Sequence, residues 1–246
     1  MNKLLCADYA RILKSRIFRF MMIFSAAMGV LFNITNAAAS EEKTLAGTVE
    51  MGAVFLLPML VAAILGLNII SEFTSGAIRN KIVIGHSRTA IVFSWVIVFT
   101  SVMTAMFAVY TGSSFLSGWL MGFDMTGIEA GKLVANFGVI LCSLLTNLIF
   151  CMLISIVFAD YRGLAILYVL MEFPVVGFSI ISMAYPDSKP LKFFFRFFTG
   201  GLMTDSLQTS ILTYPDKGWL TVLCTLSLGL VLMMLMLHHF ARKDLK

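Results

Sequence analysis

The chain has 246 residues, 59% of them apolar and 13% charged, against about 45–50% and about 25% in soluble domains. Its mean hydropathy is +0.94. Its formal net charge is +5, but the cations flank apolar runs, so membrane topology explains them and a nucleic-acid partner is not expected. These figures exclude a soluble globular domain and predict a single all-α integral membrane domain over residues 1–246.

In chain order, residues 1–16 come first. Leu5, Tyr9, Ile12 and Leu13 recur at helical spacing, with Lys3, Asp8, Arg11 and Lys14 on the other face. This pattern predicts an interfacial helix whose basic face meets anionic lipid headgroups. A topogenic basic tail is the other reading.

About 20 mostly apolar residues are needed to cross a hydrocarbon core. Six stretches supply them: Ile17–Ala39, Met51–Ile70, Ile91–Gly112, Leu133–Ala159, Leu164–Ala184 and Trp219–Phe240. Their apolar residues are continuous rather than alternating, which argues for helices and against a β-barrel. With the N-terminus inside, the inner segments hold Lys3, Arg11, Lys14, Arg16, Arg19, Arg79, Lys81, Arg88, Arg162, Arg242, Lys243 and Lys246. Their only acids are Asp8, Glu72, Asp160 and Asp244. The positive-inside rule therefore puts both chain ends in the cytoplasm. Ala37–Ala39 matches a signal-peptidase site, but the basic region before the first span is long, so the span is expected to be retained.

The longest inner loop runs from Ser71 to Arg88. Gly85 suits a helix end and Ser87 a cap for the third span. A short helix over Phe73–Ile84 is predicted between them. Arg79, Asn80, Lys81 and Arg88 offer directional hydrogen bonds, and Ile78, Ile82 and Ile84 offer apolar anchors, a mixture suited to a protein partner. A topogenic basic loop is the competing reading.

The string Glu72-Phe-x-x-Gly76-x-Ile78-Arg79-Asn80-Lys81, followed by Gly85-His86-Ser87-Arg88, resembles the ABC-2-type transporter permeases. Within them it is similar to the small bacterial permeases of bacitracin or lantibiotic resistance and amphipathic-peptide export. The resemblance implies that Phe73–Ile84 is a coupling helix. Glu72, Gly76, Ile78, Arg79, Asn80, Lys81, Gly85 and Arg88 would dock a cytoplasmic ATPase. It further implies two ATPase copies carrying ATP and Mg²⁺, and a second permease copy, identical or a close paralogue. The setting would be the bacterial cytoplasmic membrane and the cargo an amphipathic peptide. Spans two and five would line the path, with Phe55, Met59, Glu172 and Phe178 as the lining residues.

Before the last span lies a long outer segment, 186–215. Leu191-Lys-Phe-Phe-Phe-Arg-Phe-Phe198 is too short to cross a membrane. It reads as a re-entrant or interfacial piece, with Lys192 and Arg196 snorkelling to the headgroups. The resemblance implies an outer gate here, made by Phe193, Phe194, Phe195, Phe197 and Phe198. A lipid-facing aromatic anchor is the alternative.

Glu172 lies near the middle of the fifth span, beside Pro174. A carboxylate at that depth must face protein or water. It can line a path or make a buried hydrogen bond. Asn68, Asn136 and Asn147 are expected to hydrogen-bond between helices. The Asn33-Ile-Thr35 sequon falls inside span one.

No G-x-x-x-x-G-K-[ST] or H-E-x-x-H motif occurs, so nucleotide hydrolysis is expected on a partner and this chain is not expected to be an enzyme. Cys6, Cys142, Cys151 and Cys224 form no C-x-x-C pair, so neither a metal site nor a disulfide framework is expected. The function class predicted first is a permease subunit of an ATP-driven exporter. The second is a six-span immunity or sensor protein that binds a toxin or peptide without ATP.

Overall fold

A computed structural model describes residues 2–39, 57–123, 130–160, 163, 166 and 218–243. Seven helices form among them: α1 (Asn2–Lys14), α2 (Arg16–Ala39), α3 (Leu57–Thr74), α4 (Ala77–Val83), α5 (Arg88–Leu120), α6 (Ala130–Phe158) and α7 (Gly218–Arg242). Five of these, α2, α3, α5, α6 and α7, are long and apolar enough to cross a membrane. The chain is thus a multi-pass helical membrane protein. The expected fifth span, Leu164–Ala184, lies outside the described residues apart from Ile166, and so does the outer segment 186–215.

The chain turns from α1 to α2 at Ser15. Its hydroxyl accepts from the Phe18 N–H at 3.0 Å, satisfying one of the orphan donors of the helix start. In the same way Ser87, in extended backbone, accepts from Ala90 N–H at the head of α5.

Helices α2 and α5 run parallel and in register. Ser25 donates to the Met106 carbonyl at 3.2 Å, and Asn33 donates to the Ser114 carbonyl at 2.7 Å and to Ser117 Oγ at 2.6 Å. One turn before Asn33, Gly29 sits against Tyr110, Ser113 and Ser114, where an added Cβ would collide. Lipid offers no hydrophobic gain for helix pairing, so close backbone approach and interhelical hydrogen bonds hold this seam. Asn33 is fully buried, while Ile34 and Thr35 of its sequon are exposed.

This register sets a level across the bundle. Ser25–Met106 and Asn33–Ser114 are both 81 residues apart, so Arg16 stands level with Ile97, Arg19 with Thr100, and Ala39 with Leu120. Beyond Arg19, α2 keeps about 20 residues, one hydrocarbon thickness. Helix α5 has 33 residues, about 50 Å at 1.5 Å per residue. Its first two turns therefore lie beyond the level of Arg16. The helix contains the whole of the expected Ile91–Gly112 and extends past both of its ends.

Helices α3, α5 and α6 form the interior, with most of their apolar stretches buried, whereas α2 and α7 bury 22% and 17% of theirs among the described residues. Thr146 of α6 donates to the Thr225 carbonyl of α7 at 2.9 Å. Of the asparagines expected between helices, Asn68 instead donates to Ile64 within its own helix at 2.7 Å. Asn136 and Asn147 are buried.

Candidate functional site

At one end of the bundle gather α1, the α3–α4 turn, the head of α5 and the tails of α6 and α7. This brings together the described parts of every segment expected to lie inside.

The α3–α4 turn departs from the expected single helix over Phe73–Ile84. Helix α3 continues through Thr74, and Gly76 then takes a left-handed conformation with φ 72° before α4 begins. An L side chain is disfavoured there and glycine is not. Gly85, with φ 100°, ends α4 two residues beyond Val83. The segment thus holds one two-turn helix set off by two glycines.

The inner face of α4 is anchored. Ile78 is 1% exposed, within the core. Lys81 Nζ donates to Asp8 Oδ1 and to Glu72 Oε2, both at 2.8 Å, and lies 5.9 Å from the centre of the Trp95 ring. Glu72 also accepts from Trp95 Nε1 at 3.2 Å and pairs with the Arg11 guanidinium. Asp8 accepts from Ser94 Oγ at 2.7 Å. Asp8 and Glu72 are 2% and 1% exposed. Two carboxylates and two cations balance, which is the condition for burying such charges without severe loss.

This cluster corrects two expectations. Glu72, Ile78 and Lys81 were assigned to the face that meets a partner, but all three turn inward. Asp8 and Arg11 were assigned to the headgroup face of α1, but Leu4, Asp8 and Ile12 form its buried stripe, with Arg11 half-buried beside them. Leu13, from the expected apolar face, is 53% exposed, whereas Ile12 from the same face is buried. Helical spacing groups residues by face but does not say which face a buried countercharge will draw in. Adjacent Asp8 and Tyr9 grip α5 two turns apart, at Ser94 and Ser101, the second at 2.6 Å. Helix α1 is thus fastened to α5.

Arg88, also expected to meet a partner, is turned toward α7 instead. Its Nη1 donates to the carbonyls of Phe240, Ala241 and Lys243 at 2.8, 2.9 and 2.8 Å. It thus caps α7, where carbonyls lack partners and the helix dipole favours a cation. Lys243 in turn donates to the Ile156 carbonyl, and to Val157 at 3.1 Å, at the end of α6. Its ammonium lies 4.9 Å from the Phe73 ring centre. Burial pushes its pKa down. Phe240 packs between Trp95 and Phe73, with ring centres 5.6 and 6.2 Å away. Sequence reasoning missed this double cap, because only the fold brings residues so far apart in sequence together.

The outer face of α4 carries Arg79 and Asn80, both exposed. Val83 and Ile84 are 80% and 77% exposed. Lys81 reaches Trp95 near the head of α5, so α4 lies at the end of the bundle where α5 begins. Of the expected lining residues, Met59 is half-buried on α3. Phe55, Glu172, Phe178, Phe193, Phe194, Phe195, Phe197 and Phe198 lie outside the described residues. Among the described residues no group of His, Cys, Asp and Glu could hold a metal ion.

These features define a multi-pass helical membrane protein with a short, clamped helix between two of its membrane-crossing helices. The chain matches no known protein-family model and no curated protein.

Proposed function

We propose that the chain is the membrane-spanning permease subunit of an ATP-driven exporter, with a separate ATPase docking on α4. The observation that carries this reading is the two-sidedness of α4. Its inner face is tied through Ile78 and Lys81 to α1, α3 and α5. Its outer face presents Arg79, Asn80, Val83 and Ile84, a mixture of directional and apolar groups suited to a protein groove. A helix held in this way passes a push on to the spans instead of absorbing it as a loose loop would. The resemblance of residues 72–88 to ABC-2-type permeases supplies the nature of the partner.

In this reading both chain ends face the cytoplasm of a bacterial cell. The permease pairs with a second copy or a close paralogue, and two ATPases carry ATP and Mg²⁺. Six spans and the re-entrant segment 186–215 complete the subunit, and the cargo is an amphipathic or hydrophobic peptide. Phe55, Met59, Glu172 and Phe178 line the path. ATP-driven closure of the ATPases moves α4 and tilts the spans between inward-facing and outward-facing states.

The test is purification of the full chain from its own membranes, followed by peptide-stimulated ATP hydrolysis. A soluble ATPase is expected to co-purify. Arg79→Glu is expected to lower stimulated hydrolysis while insertion stays normal. Undiminished stimulation in that variant would remove the docking role. Protection of cells by this chain without any ATPase would favour the ATP-independent immunity or sensor protein.

A further inference from the structure

We infer that the corner between α1 and α2 is a binding site for one anionic phospholipid molecule. The inference rests on the helices described above and not on the transporter reading.

Lys14, Arg16 and Arg19 are all exposed at this corner. Between and beside them Leu13, Ile17, Phe20 and Ile23 are 53%, 40%, 62% and 71% exposed. The apolar stripe continues along α2 through Leu31 and Ile34, 49% and 47% exposed. The cations thus stand at one end of a lipid-facing stripe, at the level of Ile97 and Thr100. Among residues 1–39 the only acid is Asp8, which is buried against Lys81 and Ser94. Within α1 and α2 no exposed carboxylate offsets the charge of these cations.

Each candidate occupant meets this geometry differently. A phospholipid lays its chains along Phe20, Ile23 and Leu31 and brings its phosphate to Arg16 and Arg19, whose guanidinium forks suit two phosphate oxygens. A free phosphate uses the cations and leaves the stripe empty. A soluble protein does not reach a stripe immersed in lipid. A second copy paired through the same patch would set cations against cations, which a two-fold interface disfavours. A net anionic headgroup is selected over a zwitterionic one because the latter carries its own ammonium.

The consequence reaches α4. Leu13 and Lys14 lie within one helical turn of Arg11, whose guanidinium pairs with Glu72 beside Lys81. A lipid seated at the corner steadies α1 and, through it, the cluster that orients α4.

The test uses the full chain in nanodiscs of phosphatidylcholine with or without phosphatidylglycerol. Native mass spectrometry reads retained lipid, and thermal unfolding reads stability. Wild type is expected to retain phosphatidylglycerol and unfold at a higher temperature with it. Arg19→Gln, and more fully the pair Arg16→Gln and Arg19→Gln, should lose retention several-fold and lose the thermal increment. The corresponding lysine pair keeps the charge but lacks the planar fork, and should fall between wild type and the glutamine pair in both. Arg242→Gln removes an exposed cation from the same end and should change neither. Arg19→Gln is read only if its unfolding temperature in phosphatidylcholine equals that of wild type, and the lysine pair supplies the comparison otherwise. Equal retention by wild type and the glutamine variants would overturn the site, as would a lipid-independent unfolding temperature. If inorganic phosphate in phosphatidylcholine discs reproduces the shift, the corner holds an anion and not a lipid. Cross-linking between copies through a cysteine at Ile23, with no lipid retained, would assign the stripe to a second copy.

Discussion

Lys81 Nζ stands 2.8 Å from Glu72 Oε2, across the Gly76 turn, and this pairing folds α4 back against the end of α3. The same ammonium meets Asp8 of α1 at 2.8 Å. One side chain therefore decides which face of α4 looks inward and which is left for a partner.

Removing that ammonium should be costly. The Lys81 side chain is 15% exposed and its partners 3% and 1%, and breaking a buried ion pair costs about 3–5 kcal/mol. Lys81→Gln should lower the thermal unfolding temperature of the purified protein markedly. Adding Glu72→Gln restores the charge balance of the cluster and should recover part of the loss. A double variant no more stable than the single one would contradict the balance described.

The α2–α5 seam predicts a contrast between two glycines. A Cβ at Gly29 would meet the Tyr110 carbonyl at 2.8 Å and Ser114 Oγ at 2.9 Å. The hydroxyl can rotate away but the carbonyl cannot. Gly29→Ala should cost roughly 1–3 kcal/mol by overpacking. At Gly112 nothing lies within 4 Å, so alanine there should be neutral or slightly stabilising through its helix propensity. Differential scanning fluorimetry in detergent distinguishes the two.

Arg88 should act locally. Its three carbonyl partners close α7, and hydrogen bonds to a charged group contribute about 1.5–3 kcal/mol. Arg88→Gln should speed hydrogen exchange in the last turns of α7 while leaving α2 unchanged. Arg88→Lys should recover little, because an ammonium lacks the planar fork.

Lys243 should give a pH signature. Burial lowers its pKa below the ordinary lysine value, so in the window between the two the unfolded chain binds the proton more readily. Stability should therefore rise with pH across that window, and the desolvation penalty should be present in full below the lowered pKa. Lys243→Gln should remove this increment. Unfolding measured across the alkaline range in both proteins checks the sign.

Five of the six expected spans overlap long apolar helices among the described residues. A long continuous apolar run has one stable backbone solution in lipid, so α2, α6 and α7 lie close to where hydropathy puts them. The Ser87 cap and the break at Gly85 are local chemistry and were equally legible. The glycine at 76 was visible in the motif, but its left-handed turn was not. It splits the expected Phe73–Ile84 helix because Glu72 and Lys81 must face each other. For Glu72, Asp8 and Arg88 the residue type was informative while its direction was not. Each was read as facing lipid or a partner, and each has its partner within this chain.

The sequence by itself determined that this protein is helical, crosses the membrane several times and gathers most of its cations into a few segments, whose described parts meet at one end of the bundle. Those properties follow from apolar runs and charge positions, which act locally and along the chain. Only the tertiary structure decided which charges are spent on one another and which remain outward. Asp8, Arg11, Glu72 and Lys81 are consumed in a neutral cluster, and Arg88 and Lys243 in helix caps. Arg79 remains exposed on α4, as do Lys14, Arg16 and Arg19 at the α1–α2 corner. That division depends on contacts between residues up to 155 positions apart, because a buried charge is stable only where the fold brings its counterpart within reach.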